Sequence, residues 1–267
     1  MAGAGDGRGR TALITGASGG IGEALAGVFA ANGFDLILVA RGEERLRAVG
    51  EALAQRHGVR ATAIAADLAV PDAAARLTGE LQGRGIAVDV LVNNAGFATY
   101  GHFTELDRDR ELRMIQVNIA ALTELTHRLL PGMVERRWGR VLNIASTAAF
   151  MPGPLMAVYY ASKAFVLSFS EAIGEELRGT GVTVTALCPG PTSTGFQARA
   201  GMEESKLVRG RTIMDAETVA RAGYAALMRG RPIVVPGLRN RLQALSPKLL
   251  PRRFIPGIVR NAQERAH

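Results

Sequence analysis

Hydrophobic and polar positions follow an order that predicts alternating strands and helices in the first part of the chain. Short apolar runs typical of buried parallel strands are found at 11–14, 34–41, 60–68 and 88–96. Apolar residues at helical spacing follow the first three runs, in a segment that opens after a glycine-rich turn and in 42–57 and 71–84. This order calls for an α/β fold with a single doubly wound parallel sheet flanked by helices.

The second half of the chain continues the pattern. It predicts a helix around 107–130, a strand at 141–145, a helix containing Tyr159 and Lys163, a strand at 182–190, a helix at 215–229 and a last strand within 231–237. The polar, turn-rich segment 191–214 is interpreted as a mobile flap over a site. Ligands of a doubly wound sheet lie beyond the carboxyl ends of its strands. The pattern places there Gly16, Arg41, Asp67 and Asn93.

A glycine-rich turn joins the first strand to the helix after it. Gly16, Gly20 and Gly22 lie at this junction, with the spacing G-x3-G-x-G. Glycines there let the backbone approach a pyrophosphate, and the free N–H groups of a helix N-terminus attract the anion. Taken alone, the turn favours nucleotide binding no more than a plain strand–helix connection.

A serine, a tyrosine and a lysine form the candidate catalytic group. Tyr159 and Lys163 are four residues apart in a predicted helix, so they share one face. An ammonium beside a phenol is expected to lower the tyrosine pKa and to suit the phenol to proton transfer in carbonyl chemistry. Ser146 follows a predicted strand and could donate to the same substrate oxygen. A lone Tyr-x3-Lys pair is more often a surface contact, and Tyr160 is a second phenol near the lysine.

The residue that ends the second predicted strand bears on the choice of cofactor. An acid there would bind the adenosine ribose hydroxyls and repel a 2′-phosphate. This chain has Arg41 instead, and no acid before Glu43. A guanidinium pairs bidentately with phosphate, and Arg45, one turn further on, would add a second contact. NADP, with NADPH preferred over NADH, is therefore predicted; the alternative is that Arg41 stacks on the adenine or points into solvent.

Together these residues resemble the short-chain dehydrogenase/reductase family in its single-domain form, with its Rossmann-type fold. The matching pieces, in family order, are TGASGGIG (15–22), Asp67, NNAG (93–96), Asn118, Ser146, Tyr159-x3-Lys163 and PG (189–190). The resemblance covers residues 11 to about 235. LVNNAGF and VYYASKAFVLSFSEAI are most similar to a bacterial branch of short-chain oxidoreductases, and also to the branch of hydroxysteroid and long-chain ketoacyl reductases.

The resemblance implies a role for each matching residue. Tyr159 would be the general acid or base, Lys163 would lower its pKa and hold the nicotinamide ribose, and Ser146 would polarise the substrate oxygen. Asn118 would hold a water that links Lys163 to solvent, or else it is a satisfied core amide. The implied cofactor-binding residues are Gly16, Ser18, Gly20, Ile21, Gly22, Arg41, Arg45, Asp67, Leu68, Asn93, Ala95, Tyr159, Lys163, Pro189, Gly190 and Thr194. The chain departs from the family at Thr192, where an apolar residue is usual.

Composition and charge set the remaining expectations. The 267 residues are 48% hydrophobic, with a net charge of +8 and one cysteine, which excludes an intramolecular disulfide. No secretory signal, transmembrane run or metal-ligand spacing is recognised, so a cytoplasmic protein without metal or nucleic acid is expected, as a homodimer or homotetramer. Residues 1–10 are predicted to be disordered and 11–237 to form the dinucleotide-binding and catalytic domain.

Residues 238–267 form a basic C-terminal extension. From 206 onward there are thirteen Lys/Arg residues against three acidic ones. Leucines at helical spacing predict an amphipathic helix over 238–250. We expect this helix to cover an apolar patch of its own subunit or of a partner. The alternative is that it lies on an anionic membrane surface.

The sequence therefore predicts an NADP-dependent oxidoreductase that transfers a hydride between nicotinamide and a ketone, aldehyde or secondary alcohol. A catalytically idle nucleotide-binding scaffold is the alternative, and an epimerase or dehydratase is disfavoured because such enzymes carry a longer C-terminal domain. A hydrophobic substrate is expected, because the predicted pocket wall is apolar. That wall comprises Phe97, Tyr100, Phe103, Phe150, Met151, Pro152, Leu155 and Met156.

Overall fold

The computed structural model describes residues 7–196, 200–201 and 213–264, without the side chains of Lys248 and Leu249. Residues 1–6 of the predicted disordered segment lie outside the described residues. Residues 7–10 are ordered, contrary to expectation. The Gly7 N–H donates to the Asn32 carbonyl over 3.1 Å, and the guanidinium of Arg10 lies 4.0 Å from the ring centroid of Trp138. The chain is thus anchored before the first strand.

A seven-stranded parallel sheet forms the centre of the described residues, in the order β3-β2-β1-β4-β5-β6-β9. Its strands are β1 Thr11–Thr15, β2 Asp35–Ala40, β3 Ala61–Ala65, β4 Val90–Asn93, β5 Gly139–Ile144, β6 Val182–Leu187 and β9 Ile233–Val234. The central strands are buried almost throughout because helices cover both faces. The order changes direction beside β1, which confirms the predicted doubly wound sheet.

Nine α-helices flank the sheet or follow it in the described residues. They are α1 Gly20–Ala31, α2 Glu43–His57, α3 Ala73–Gly83, α4 Arg108–Ile115, α5 Leu122–Glu135, α6 Ala157–Glu176, α7 Ala216–Met228, α8 Leu238–Leu245 and α9 Ile255–Gln263. Phe29 of α1 and Tyr224 of α7 pack in the core on one face of the sheet. Leu77 of α3 and Leu125 of α5 belong to the core on the other face. None of the described helices is both long and apolar enough to cross a bilayer.

The helix predicted around 107–130 is interrupted. A π-helical turn, Gln116–Ala121, separates α4 from α5. Such turns occur where a helix accommodates an extra residue, often beside a functional site. Asn118 lies within this turn and is 1% exposed. The turn therefore carries a predicted site residue into the interior.

The predicted flap at 191–214 falls largely on residues outside the described part of the chain, 197–199 and 202–212. Its two ends are described and pair with each other. Strands β7, Thr192–Ser193, and β8, Met214–Asp215, form a short parallel pair. The pairing holds both ends of the segment beside the main sheet.

Helix α8 confirms that the leucine-rich part of the tail is helical, but its leucines point into solvent and not toward the rest of the protein. Leu238 is 73% exposed, Leu242 61% and Leu245 54%, whereas Ala244 on the opposite side is buried. Asn240 also faces inward, where its amide donates to the Pro236 carbonyl over 2.8 Å. The described leucines therefore do not cover a patch of their own subunit, which leaves a partner subunit or an anionic membrane surface from the prediction.

Candidate active site

A cleft of about 1340 Å³ opens at the carboxyl ends of the parallel strands. It brings together the predicted site residues Gly16, Ser18, Gly20, Ile21, Arg41, Asp67, Leu68, Ala95, Ser146, Tyr159, Lys163, Pro189, Gly190 and Thr194. The other four predicted residues, Gly22, Arg45, Asn93 and Asn118, do not line the cleft. Gly22, Arg45 and Asn118 each contact a residue that does. Asn93 instead bonds to residues of the core.

The glycine turn has the backbone that its sequence predicts. Gly16 and Gly20 have φ angles of 66° and 57°, in the left-handed region that favours glycine. A Cβ on Gly22 would lie 2.2 Å from the carbonyl oxygen of Gly16, so a glycine is needed there for close packing. No side chain caps the N-terminus of α1. Its N–H groups and helix dipole thus face the cleft and suit the pyrophosphate of a dinucleotide.

Two arginines near the end of β2 differ in their surroundings. Arg41 is exposed, lines the cleft and makes no hydrogen bond or ion pair with any described residue. Arg45 donates from Nε to the Ser18 carbonyl over 2.5 Å and pairs with Glu23 at 3.1 Å. Arg45 therefore braces the glycine turn, and only Arg41 presents an uncommitted guanidinium to a cofactor phosphate.

Asp67 lies at the adenosine end of the cleft and already has two partners. One carboxylate oxygen accepts from the Ala69 N–H over 3.0 Å, and the other pairs with Arg113 at 3.2 Å. Arg113 extends from α4 and also lines the cleft. Sequence reasoning missed it, because no local pattern indicates that this helix reaches the end of β3.

Asn93 was predicted to face the ligand but is buried in the core. Its amide donates to Asn143 over 2.9 Å and to Thr126 over 3.0 Å, and the amide of Asn143 donates to Ser170 over 2.9 Å. These bonds join β4, β5, α5 and α6 beneath the cleft. The side chain that lines the cleft is Asn94, which sequence analysis had passed over.

Ser146 and Tyr159 meet at the middle of the cleft. Ser146 caps the short helix Thr147–Phe150, where its Oγ accepts from the Ala148 N–H over 3.1 Å. Burial raises the pKa of the Tyr159 phenol above its usual value, and the neighbouring Ser146 hydroxyl lowers that pKa by less. The phenol accordingly keeps its proton at neutral pH.

Lys163 is buried behind the tyrosine. Its Nζ donates to the Ile144 carbonyl over 2.7 Å and lies 5.8 Å from the centroid of the Tyr159 ring. Burial lowers the pKa of Lys163 to about 8. Contrary to expectation, the pKa of Tyr159 is not lowered toward neutrality, because burial, which raises it, is the largest cause of its shift.

Asn118 supports the catalytic residues from the π-helical turn. Its amide donates to the Phe97 carbonyl and to Ser162 Oγ, both over 3.1 Å, and its oxygen accepts from the Phe97 N–H over 3.2 Å. Both N–H donors are therefore used within the protein, as the core-amide interpretation anticipates. The implied water link to Lys163 stays a prediction.

The residue that departs from the family pattern, Thr192, is accommodated by a hydrogen bond. It is 5% exposed, and its hydroxyl donates to the Gly190 carbonyl over 3.0 Å. The hydroxyl thus has a partner in an otherwise apolar position. Nearby, the Thr194 hydroxyl accepts from the Phe196 N–H over 3.2 Å, which fixes the first residues of the flap.

The two tyrosines have different environments. Tyr160 accepts a hydrogen bond from Gln263 Nε2, and Tyr100 donates to the Gln263 carbonyl over 2.8 Å. Ile255 and Val259 of α9 complete an apolar cluster around Tyr160. Helix α9 therefore packs against Tyr160, a contact that no local sequence signal predicts for residues 103 positions apart.

The predicted apolar wall is only partly assembled. Phe97 and Met156 line the cleft, together with Phe196, which was not predicted. Phe103 is 65% exposed and does not line it. Gln243 of α8 reaches the cleft from the C-terminal extension, a second contribution of this segment that the sequence does not reveal.

An uncapped glycine turn and a Ser/Tyr/Lys group on one parallel sheet define a dinucleotide-dependent oxidoreductase. Residues 10–205 match the model of the short chain dehydrogenase family. The protein therefore belongs to this family.

Individual relatives agree with this assignment. The chain is 36% identical over 193 residues to a short chain dehydrogenase of Pseudocercospora fijiensis, covering 72% of this chain and 62% of that protein. It is 35% identical over 192 residues to the very-long-chain 3-oxoacyl-CoA reductase of Homo sapiens, covering 70% and 61%. The chain thus spans less than two thirds of the length of these curated relatives.

A solved structure covers nearly the whole chain. The short-chain dehydrogenase from Sphingobium yanoikuyae in complex with NADPH is 33% identical, with a TM-score of 0.81 over 97% of this chain and 98% of that one. The fold therefore extends beyond the family match and into the C-terminal segment.

Proposed function

We propose that this protein is an NADP-dependent oxidoreductase that reduces a hydrophobic ketone or aldehyde to the alcohol, with Tyr159 as the general acid. The observation that carries the proposal is that Ser146, Tyr159 and Lys163 line one cleft together with an uncapped glycine turn. The residues of that turn fit a pyrophosphate. Bound there, the nicotinamide cofactor supplies the hydride.

The catalytic residues divide the proton chemistry among them. Ser146 orients the substrate oxygen through its hydroxyl, and Tyr159 donates its proton to that oxygen as the carbonyl carbon is reduced. A phenol with a raised pKa is protonated at neutral pH, which suits the direction of reduction. Lys163 lies behind Tyr159 and, while protonated, stabilises the phenolate that remains.

The choice of NADP is supported by charge at the end of β2. Arg41 is exposed at the cleft, and none of the described residues pairs with it. A 2′-phosphate on the adenosine ribose would supply the missing anion. The NADPH complex of the Sphingobium yanoikuyae relative has the same type of cofactor.

The substrate class is supported by the walls of the cleft. Met156 and Phe196 line it beside Tyr159, and the apolar cluster around Tyr160 lies next to them. These surfaces favour an apolar group next to the carbonyl. The name of the human relative, a very-long-chain 3-oxoacyl-CoA reductase, agrees with a long apolar chain.

Assembly into a homodimer or homotetramer forms part of the proposal. Leu112 and Ile115 of α4 and Phe165 of α6 are exposed, although they are large and apolar. Burial between copies would remove them from water.

A substrate scan tests the proposed function. Purified protein is incubated with NADPH or NADH and a panel of ketones and aldehydes with increasing alkyl length, and loss of reduced cofactor is followed. We expect turnover with NADPH that increases with alkyl length. NADPH binding without turnover on any carbonyl would favour the idle scaffold, and a preference for NADH would contradict the assignment of the cofactor.

A further inference from the structure

The C-terminal segment exposes apolar side chains where a globular surface is normally polar. Of the eleven large hydrophobic residues that are exposed in the described chain, six lie between 238 and 258. They are Leu238, Leu242, Leu245, Leu250, Phe254 and Ile258. A concentration of this kind marks a binding surface.

In helix α8 the apolar face points into solvent and polar residues face the protein, which is the reverse of an ordinary surface helix. Leu238, Leu242 and Leu245 share one face because they are three or four residues apart, and all are more than half exposed. The polar Asn240 bonds to the chain's own backbone, and Gln243 lines the cleft. The apolar face is therefore held outward by polar contacts on the other side.

Basic side chains accompany these apolar residues, and among the described arginines of the segment only Arg260 has an acidic partner, Glu264. Residues 238–264 contain six Lys/Arg and a single acid, Glu264. Elsewhere arginines commonly pair with acids, as Arg60 does with Asp35 at 2.6 Å. The exposed arginines that make no ion pair with a described acid are Arg239, Arg241, Arg252 and Arg253.

We propose that this surface, formed by the exposed residues of α8 and of 250–260, binds an anionic lipid membrane. Apolar side chains flanked by arginines match a bilayer interface that has acidic headgroups above acyl chains. A second copy of the chain fits less well, because a two-fold contact through this surface would place unpaired arginines against one another.

Membrane contact would bring the active site close to apolar substrates. Helix α8 contributes Gln243 to the cleft, and α9 packs around Tyr160 at its substrate end. The surface and the site are therefore built from the same segment. Delivery of substrate from the bilayer rests on the proposed function, whereas membrane binding does not.

Vesicle flotation tests the proposal on the full chain. The protein is mixed at about 0.1 M salt with vesicles of phosphatidylcholine alone, or with about 30% phosphatidylglycerol. We expect binding to the anionic vesicles that weakens at higher salt. Replacement of Leu242 and Leu245 by Asp should weaken it at least roughly tenfold. Replacement of Arg239 and Arg252 by Gln should weaken it about fivefold for each arginine removed.

Matched controls distinguish binding through this surface from nonspecific membrane binding. Val70→Asp replaces an exposed apolar residue between β3 and α3, and Arg56→Gln removes an exposed arginine from α2; both should bind as the wild type does. Circular dichroism and light scattering check folding and assembly of every variant. The proposal is overturned if the wild type ignores anionic vesicles, or if the controls lose binding equally. It is also overturned if the leucine replacements only dissociate an oligomer. Retained NADPH turnover without vesicle binding would reject the membrane surface and leave the proposed function intact.

Discussion

Burial of the Lys163 ammonium predicts a stability that depends on pH in a specific way. The pKa of Lys163 is about 8 in the folded chain, against 10.5 for an unperturbed lysine. At about 1.4 kcal/mol per pKa unit, this depression lowers the free energy of unfolding by roughly 3 kcal/mol below pH 8. Between about pH 8 and 10.5 the unfolded chain binds a proton that the folded chain has lost, so wild-type stability rises by that amount.

Lys163→Met removes the titrating group and keeps the apolar part of the side chain. Loss of the hydrogen bond to Ile144 affects stability about equally at every pH, so the test is the pH dependence of the difference between variant and wild type. Urea unfolding followed through Trp138, the one tryptophan, measures it. Between pH 7.5 and 10.5 we expect the free energy of unfolding of the wild type to rise by roughly 3 kcal/mol relative to that of the variant.

An exposed arginine provides the matched control for this experiment. Arg56→Met removes an exposed positive charge from α2, so its stability curve should run parallel to that of the wild type. If Lys163→Met also runs parallel to the wild type, the lysine is not desolvated as the structure indicates.

Three further predictions concern the turn, the cofactor and the rate. Gly22→Ala should lower Tm and abolish NADPH binding, because its Cβ would lie 2.2 Å from a backbone oxygen. The control Gly79→Ala places its Cβ in open space and should fold normally. Equal Tm values for the two variants would contradict this prediction. Arg41→Asp should weaken the affinity for NADPH roughly 10–100-fold and change the affinity for NADH little, while Arg47→Asp should leave both affinities unchanged. An unchanged cofactor preference in the Arg41 variant would refute the assignment of Arg41 to the 2′-phosphate. For carbonyl reduction, kcat/KM should fall above about pH 8 as Lys163 loses its proton; a flat profile to pH 9.5 would refute this.

The sheet could be predicted from sequence because its strands are buried on both faces. A continuous apolar run such as 36–40 has few other interpretations when helical spacing precedes and follows it. The boundaries between helices were harder to predict from the sequence. The break between α4 and α5 leaves hydrophobic spacing almost unchanged, so it is not visible in the pattern.

The catalytic group was predictable because its spacing is local, but its electrostatics were not. Spacing indicates that Tyr159 and Lys163 share a helix face. It does not reveal how much water either side chain loses, and that loss sets the direction of both pKa shifts. Asn93 was misjudged for a related reason, since its position at a strand end does not fix which way the side chain points.

The tail shows a different limit of sequence reasoning. Periodicity predicted a helix at 238–250, of which the structure forms α8, Leu238–Leu245, as an α-helix. An apolar helix face can pack on the chain itself, on a partner or on a lipid surface. Contacts between residues far apart in the sequence, such as the hydrogen bond from Gln263 to Tyr160, decide among these possibilities. They leave no mark in the local pattern.

Single-turnover reduction by Tyr159→Phe and Tyr160→Phe tests the central claim most directly. Each variant is saturated with NADPH, mixed with a substrate from the scan, and followed by cofactor absorbance, after NADPH affinity has been measured separately. Tyr159→Phe should bind NADPH normally and lose about 10²–10⁴ in rate, because the proton donor is gone. Tyr160→Phe should keep a rate within a few-fold of the wild type, since only its contact with Gln263 is lost. Full activity in Tyr159→Phe, or an equal loss in both variants, would contradict the account.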